Sequence, residues 1–262
     1  MEVVICKDAQ EVGKVAADKV ISSLDGVVTP VVGFATGSSP LSLYQELSRR
    51  VEAGDCDFSH ALGFALDEYV GIERNHPESY ASVINRTVVE PLRMDPSRVR
   101  VPDGLAEDLQ GAADEYDEAI ELAGGVDVQI LGIGSNGHIG FNEPFSSFSS
   151  RTRIKTLTPE TREDNARFFP SIDDVPRHCV TQGLGTIMDS HVALMVASGE
   201  QKADAIAAMI EGPVSASVPA SILQFHPRAF IVIDEAAASK LKNLDYFRHV
   251  QETESFTGRV GD

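Results

Sequence analysis

The run Val31-Val32-Gly33-Phe34-Ala35-Thr36-Gly37-Ser38-Ser39-Pro40 decides the fold. Its first five residues form a short apolar stretch, the mark of a strand buried on both faces. Glycine and serines then break the pattern, and across Pro40–Ala53 the apolar residues Leu43, Tyr44, Leu47 and Val51 return at helical spacing. Ser39 suits the N-cap of that helix and Pro40 its first position. A buried strand feeding a covering helix through a tight turn is the opening half of a β-α-β crossover.

The same alternation extends outward in both directions. Strand-length apolar runs lie at Val3–Ile5, Leu62–Leu66, Val126–Leu131, Ile154–Leu157, Val192–Ala197 and Phe230–Ile233. Between them, helix-period segments occupy Ala9–Leu24, Ser79–Pro91, Glu107–Ala123, Pro159–Phe169 behind a Thr158 cap, Glu200–Glu211 and Ala236–Gln251. Parallel strands need crossover helices, so this order predicts an open, doubly wound, mostly parallel α/β sheet with helices on both faces, Rossmann-like in layout. No repeat or Pro/Gly linker divides the chain, and residues 1–262 are expected to form a single domain. Ligands of such sheets bind beyond the carboxyl ends of the strands.

Composition narrows the function. Of 262 residues, 42% are hydrophobic and 24% charged, as in ordinary globular chains. The formal charge of −18 opposes nucleic acid and anionic lipid, so neither is expected as a partner. The apolar runs fall far short of the roughly 20 residues of a membrane span, and the first residues lack the features of a secretory signal. Three separated cysteines, Cys6, Cys56 and Cys179, suggest neither disulfides nor a zinc knuckle and suit a reducing cytoplasm.

Three segments carry chemistry. Gly33–Pro40 joins a strand end to a helix start, where free N–H groups and the helix dipole favour an anion, and Gly37, Ser38 and Ser39 permit close approach. It lacks the lysine of a P-loop, and a plain capped turn would look the same. In the second, Asp67 and Glu68 follow the Leu62–Leu66 strand. A carboxylate there, partly desolvated, suits a general base, Asp67 being nearer the strand end; an ordinary acidic loop is the alternative. In the third, Leu131-Gly-Ile-Gly-Ser-Asn-Gly-His-Ile-Gly-Phe-Asn-Glu-Pro144, glycines present His138 and Glu143 on irregular backbone. If Glu143 bonds one imidazole nitrogen, the other is left to move a proton. A zinc site would need a second histidine or cysteine nearby, so no metal is expected. Arg167 and Lys202 are basic candidates to complete an anion pocket, Lys202 standing in the first turn of a helix whose dipole it opposes. A solvated surface lysine is the plainer alternative.

Together these segments resemble the glucosamine-6-phosphate deaminases, of the glucosamine/galactosamine-6-phosphate isomerase family. The likeness runs from Gly33 to Glu235 and is carried by FATGSSPLSLYQEL, LDEYVGI followed by HPESY, LGIGSNGHIGFNEP, SSRTRIKTLTPETREDNARFF, and SGEQKADAIAAMIEG with LQFHPRAFIVIDE. It implies conversion of glucosamine 6-phosphate and water to fructose 6-phosphate and ammonia, in amino sugar catabolism, without a cofactor. By the same resemblance Asp67 moves a proton from C2 to C1 and His138 opens the sugar ring. Asn136 and Glu143 complete the His138 network, and Ser38, Ser39, Arg167 and Lys202 hold the phosphate. Many members carry aspartate at the position of Asn136, so a charge beside His138 is missing here. Some members are hexamers activated by N-acetylglucosamine 6-phosphate through residues matching Ser146, Ser147, Arg153 and Lys155, with a tail tyrosine corresponding to Tyr246; others are monomers. Allostery and oligomeric state are left open by the resemblance.

Two other functions compete. The 6-phosphogluconolactonases share the fold and the glycine–histidine loop, but continue it with a GHTASLFP-like block where this chain has GHIGFNEP. A sugar-phosphate sensor without turnover would leave an intact acid–base set without use.

Overall fold

The computed structural model describes residues 1–257, with side chains through residue 253. In chain order the elements are β1 (Glu2–Cys6), α1 (Ala9–Ser23), β2 (Val31–Phe34), α2 (Leu41–Ala53), β3 (Leu62–Ala65), β4 (Asp67–Tyr69), α3 (Tyr80–Ile84) and β5 (Val99–Arg100). There follow α4 (Leu109–Leu122), β6 (Val128–Leu131), β7 (Arg153–Thr156), α5 (Pro159–Asn165), β8 (His178–Thr181), α6 (Leu184–Met188), β9 (Val192–Ala197), α7 (Ala203–Glu211), β10 (Ala229–Asp234) and α8 (Leu244–Thr257).

Seven strands form one sheet in the order β1-β10-β9-β6-β2-β3-β5, with every neighbouring pair parallel. Helices cover both faces. Successive strand residues point to opposite sides, and β2 shows the consequence. Val32 and Phe34 join the large cluster containing Val12 and Ala16 of α1 and Leu43 and Leu47 of α2. Val31 packs in a separate cluster with Phe64 and with Tyr116 and Ile120 of α4. Every residue of β2, β6 and β9 is buried, which is why these strands read as unbroken apolar runs.

The chain reverses its direction of winding at β2, which runs on to β3 and β5 on one side and pairs with β6 on the other. That switch point opens a crevice at the carboxyl ends of the strands. The loops leaving β2, β3 and β6, three neighbours, therefore all enter the same place.

A second sheet was not foreseen. Its three short strands, ordered β4-β8-β7, are antiparallel. The expected Leu62–Leu66 strand ends at Ala65, and the chain continues past Leu66 into β4, so Asp67 opens a strand of a different sheet. The expected Ile154–Leu157 strand is β7 and belongs to this small sheet, not to the parallel one. Strands β5 and β8 and helix α6 carry too few periodic residues to be seen in advance.

Several helices start or stop elsewhere than expected. Pro40, not Ser39, is the N-cap of α2, so the Ser39 side chain is not used to cap it. The expected Ser79–Pro91 helix is α3 followed by a π-turn over Asn85–Val89, with Ser79 accepting from the Ser82 N–H as cap. The segment expected to be helical from Ala236 is turns as far as Asn243, and α8 begins at Leu244. On the open edge of β1, the Gln251 side chain of α8 accepts from the Ile5 N–H at 2.9 Å and donates to the Ile5 carbonyl at 3.4 Å.

Candidate functional site

The crevice at the switch point is a polar cleft lined by all three chemical segments. Gly37, Ser38 and Ser39 come from the β2 turn, Asp67 from beyond β3, and His138 from the loop after β6. Arg167 and Lys202 close one side of it.

At the β2 turn the backbone of Gly37 is left-handed, with φ of 86°. Ser39 packs against Gly132, where a Cβ would stand 3.1 Å from the serine Cβ. Arg167 sits in the 3-10 turn Ala166–Phe168 that continues from α5, and its Nη2 donates to Ser38 Oγ at 3.5 Å. Lys202 is the N-cap residue of α7, at the end of the 3-10 turn Glu200–Lys202, rather than inside a first α-helical turn. Burial and the nearby Arg167 guanidinium push its ammonium below the usual range, while Asp164 opposes them. Two cations that repel one another beside a glycine–serine turn and a helix start are relieved by a bound anion such as phosphate.

Asp67 is 4% exposed, yet its carboxyl reaches the cleft. Burial, with the neighbouring Glu68 charge, raises its pKa from 3.8 to about 8. The polar Phe141 N–H and Thr181 hydroxyl nearby hold the rise back. Glu68 points away, its carboxylate accepting from the N–H groups of Tyr69, Tyr80 and Ala81 at 2.8 to 2.9 Å. One acid is thus left for chemistry, and the other ties the strand end to the start of α3.

His138 is held from behind. Its Nδ1 lies 2.8 Å from Asn136 Oδ1, which also accepts from the His138 backbone N–H, while Asn136 Nδ2 donates to Glu143 Oε2 at 2.9 Å. An amide oxygen can only accept, so Nδ1 carries the proton and Nε2 keeps its lone pair. Glu143 Oε2 is 3.7 Å from Nδ1, so the expected direct Glu143–His138 bond is replaced by a relay through Asn136. Glu143 is 3% exposed; burial alone would raise its pKa, but hydrogen bonds from Thr161, Thr158 and Asn136 and the His138 ring bring it below the usual range. Burial lowers the His138 pKa, and the Glu143 charge partly offsets this. The glycines of the loop make room: a Cβ on Gly134 would stand 2.2 Å from His138 Cε1. Among the described residues, no group of three or more His, Cys, Asp or Glu could hold a metal ion.

The remaining candidates lie outside the cleft lining. Ser146 is buried, its hydroxyl donating to the Glu143 carbonyl at 2.7 Å, and Ser147 pairs with Ser149. Arg153 and Lys155 are on β7, and Tyr246 is an exposed residue of α8. Other residues at the site had not been singled out. Thr158, expected only to cap a helix, also donates to Glu143 through its N–H and hydroxyl at 3.0 and 3.2 Å. Tyr80 lines the cleft and stacks on Phe141, with centroids 5.7 Å apart. Thr181 stands behind Asp67 on the unforeseen strand β8; nothing in its own segment marks it.

Comparison with known proteins identifies the family. The model of the family described as glucosamine-6-phosphate isomerases/6-phosphogluconolactonase matches residues 7–231. A glucosamine-6-phosphate deaminase of Cutibacterium acnes is 55% identical over 248 residues, covering 95% of each chain. One from Streptomyces avermitilis is 55% identical over 250 residues, covering 95% of this chain and 96% of its own. The solved structure of a monomeric glucosamine-6-phosphate deaminase superposes with a TM-score of 0.89 at 39% identity, covering 92% of this chain and all of its own. A 6-phosphogluconolactonase from Leishmania guyanensis, at 18% identity and a TM-score of 0.71 over 90% of this chain and 97% of its own, shares the fold. The chain therefore belongs to the glucosamine-6-phosphate isomerase/6-phosphogluconolactonase family, among its glucosamine-6-phosphate deaminases.

Proposed function

We propose that this protein converts glucosamine 6-phosphate and water to fructose 6-phosphate and ammonia, with Asp67 and His138 moving the protons. The observation that carries the proposal is that a buried carboxyl of raised pKa and an imidazole with a free Nε2 face one cleft, beside a turn and two cations suited to phosphate.

The phosphate is gripped by Ser38, Ser39, Arg167 and Lys202, which fixes the sugar by its far end. His138 Nε2 takes the proton of the C1 hydroxyl and hands it to the ring oxygen as the bond between C1 and that oxygen breaks, the Glu143–Asn136 relay steadying the transiently charged imidazole. Opening exposes an aldehyde that acidifies the C2 hydrogen. Asp67 removes that proton and returns it to C1, which leaves an imine at C2. Water adds to the imine carbon and ammonia leaves, so the 2-ketose forms with no change in overall oxidation state. A substrate ammonium close to Asp67 favours the carboxylate, so binding itself shifts the base to its working form.

The test is to incubate the purified protein with glucosamine 6-phosphate and to measure ammonia and fructose 6-phosphate together. Equal amounts of the two are expected. Folded protein that yields neither, or that instead hydrolyses 6-phosphogluconolactone, ends this assignment.

A further inference from the structure

Glu143 gives its two carboxylate oxygens to different neighbours. Oε2 accepts from Asn136 Nδ2 at 2.9 Å and so carries the relay to His138. Oε1 accepts from the Thr158 N–H at 3.0 Å and from the Thr158 hydroxyl at 3.2 Å. Thr158 is also the N-cap of α5, its Oγ1 accepting from the Thr161 N–H at 3.2 Å. The single hydroxyl proton has two acceptors within reach, Glu143 Oε1 and, at 3.1 Å, Thr161 Oγ1. A carboxylate is the stronger acceptor, and Thr161 brings a hydroxyl proton of its own. The Thr158 side chain therefore caps a helix and at the same time holds the oxygen of Glu143 that the relay leaves over. Thr158 is not part of the cleft lining, so it does not meet a bound sugar.

We propose that Thr158 is a positioning residue for His138, acting through Glu143: its hydroxyl holds Oε1, which keeps Oε2 on Asn136 and the Asn136 oxygen on Nδ1. This rests on the role of His138 assigned above. The terminal torsion of a glutamate is broad, so one anchored oxygen does not fix the other unless the carboxylate is gripped from both sides. The grip also joins two parts of the cleft. Ser135 Oγ, on the His138 loop, lies 3.1 Å from Glu160 Oε1 and 2.9 Å from Asp164 Oδ2, both on α5. Arg167 follows in the turn that continues from that helix. The segment that brings Arg167 to the cleft is thus bonded at its start to the carboxylate behind His138.

Capping and gripping are separable by substitution. Aspartate is a good N-cap but, ionised, has no proton to donate. Thr158→Asp should therefore keep α5 in place and lower kcat with glucosamine 6-phosphate about twentyfold, with KM within about twofold of wild type. Thr158→Ser, which keeps both the cap and the donor, should retain kcat to within about twofold. An aspartate variant with wild-type kcat makes Thr158 a helix cap alone and overturns the proposal. If that variant does not fold, Thr158→Val is compared on the wild-type and Glu143→Gln backgrounds. A loss in kcat of about tenfold is expected on the first and of less than about twofold on the second, where the relay is already broken. Equal losses on both overturn the proposal. A readout without turnover is the 15N spectrum of the neutral His138 imidazole. Wild type should show the Nδ1–H tautomer, and the aspartate and valine variants a mixture with Nε2–H. Wild-type protein without deaminase activity would remove the role of His138 in that reaction. Even then, a tautomer unchanged in both variants overturns the hold of Thr158 on the relay independently.

Discussion

The two sheets contribute to the cleft in different ways. The large parallel sheet supplies the proposed phosphate turn after β2 and the His138 loop after β6, both on irregular backbone at a switch point. The small antiparallel sheet places the proposed base on a strand, with Asp67 paired to Thr181 and buried. Groups that bind a mobile phosphate tolerate loop geometry. A carboxyl that must take a proton from one carbon and return it to the next needs a fixed direction, which a ladder of strand hydrogen bonds provides.

The sharpest challenge to this contrast is Asp67→Asn. It should lower kcat about a thousandfold while leaving the affinity for inorganic phosphate unchanged. It should also stabilise the protein. The wild-type carboxyl has a pKa of about 8 when folded against 3.8 as the ordinary value, so the native state holds an extra proton between those limits. Its contribution to stability is fully present below 3.8 and is lost as pH rises through about 8. The Tm advantage of the asparagine variant should therefore grow with pH across that window. An advantage constant in pH would refute the raised pKa.

Glu143→Gln comes next, with an expected loss of about a hundredfold in kcat. The carboxylate raises the His138 pKa, so its removal should move the imidazole titration, followed by NMR, further down. Lys202→Ala should raise KM about tenfold with kcat nearly intact, the signature of lost ground-state binding. A large fall in kcat there would erase the division between gripping and reacting residues. The smallest effect is expected from Asn136→Asp. A second carboxylate beside the imidazole should raise the His138 pKa by about one unit or less, and an NMR titration that moves down would contradict the relay.

The division between the sheets also decides what was legible beforehand. Val31–Phe34, Val128–Leu131 and Val192–Ala197 are buried along their whole lengths, and continuous burial leaves a continuous apolar run. The doubly wound layout and the two loops at its switch point followed from such runs and from glycine spacing. Asp67, His138 and Glu143 could be named because unusual residues follow strand ends, and Asn136 only through the family resemblance. The small sheet left no such trace. Asp67-Glu68-Tyr69 and His178-Cys179-Val180-Thr181 are short and mixed in polarity, and their pairing joins segments more than a hundred residues apart. The place of Thr181 behind Asp67 depends on that long-range geometry, which no local spacing encodes; the Asn136 bridge lies within one loop, but its side-chain orientations are set by the folded loop and not by spacing.

The Gln251 amide beside Ile5 has a consequence for solubility. An exposed outer strand offers its peptide groups as a template for another chain, and a glutamine side chain answering both groups of one residue blocks that invitation. At the opposite margin β5 is only two residues long and offers little to copy. Cutting the chain before Leu244 should therefore leave catalytic groups in place but unmask β1, and light scattering at rising concentration should report self-association that the full-length chain avoids.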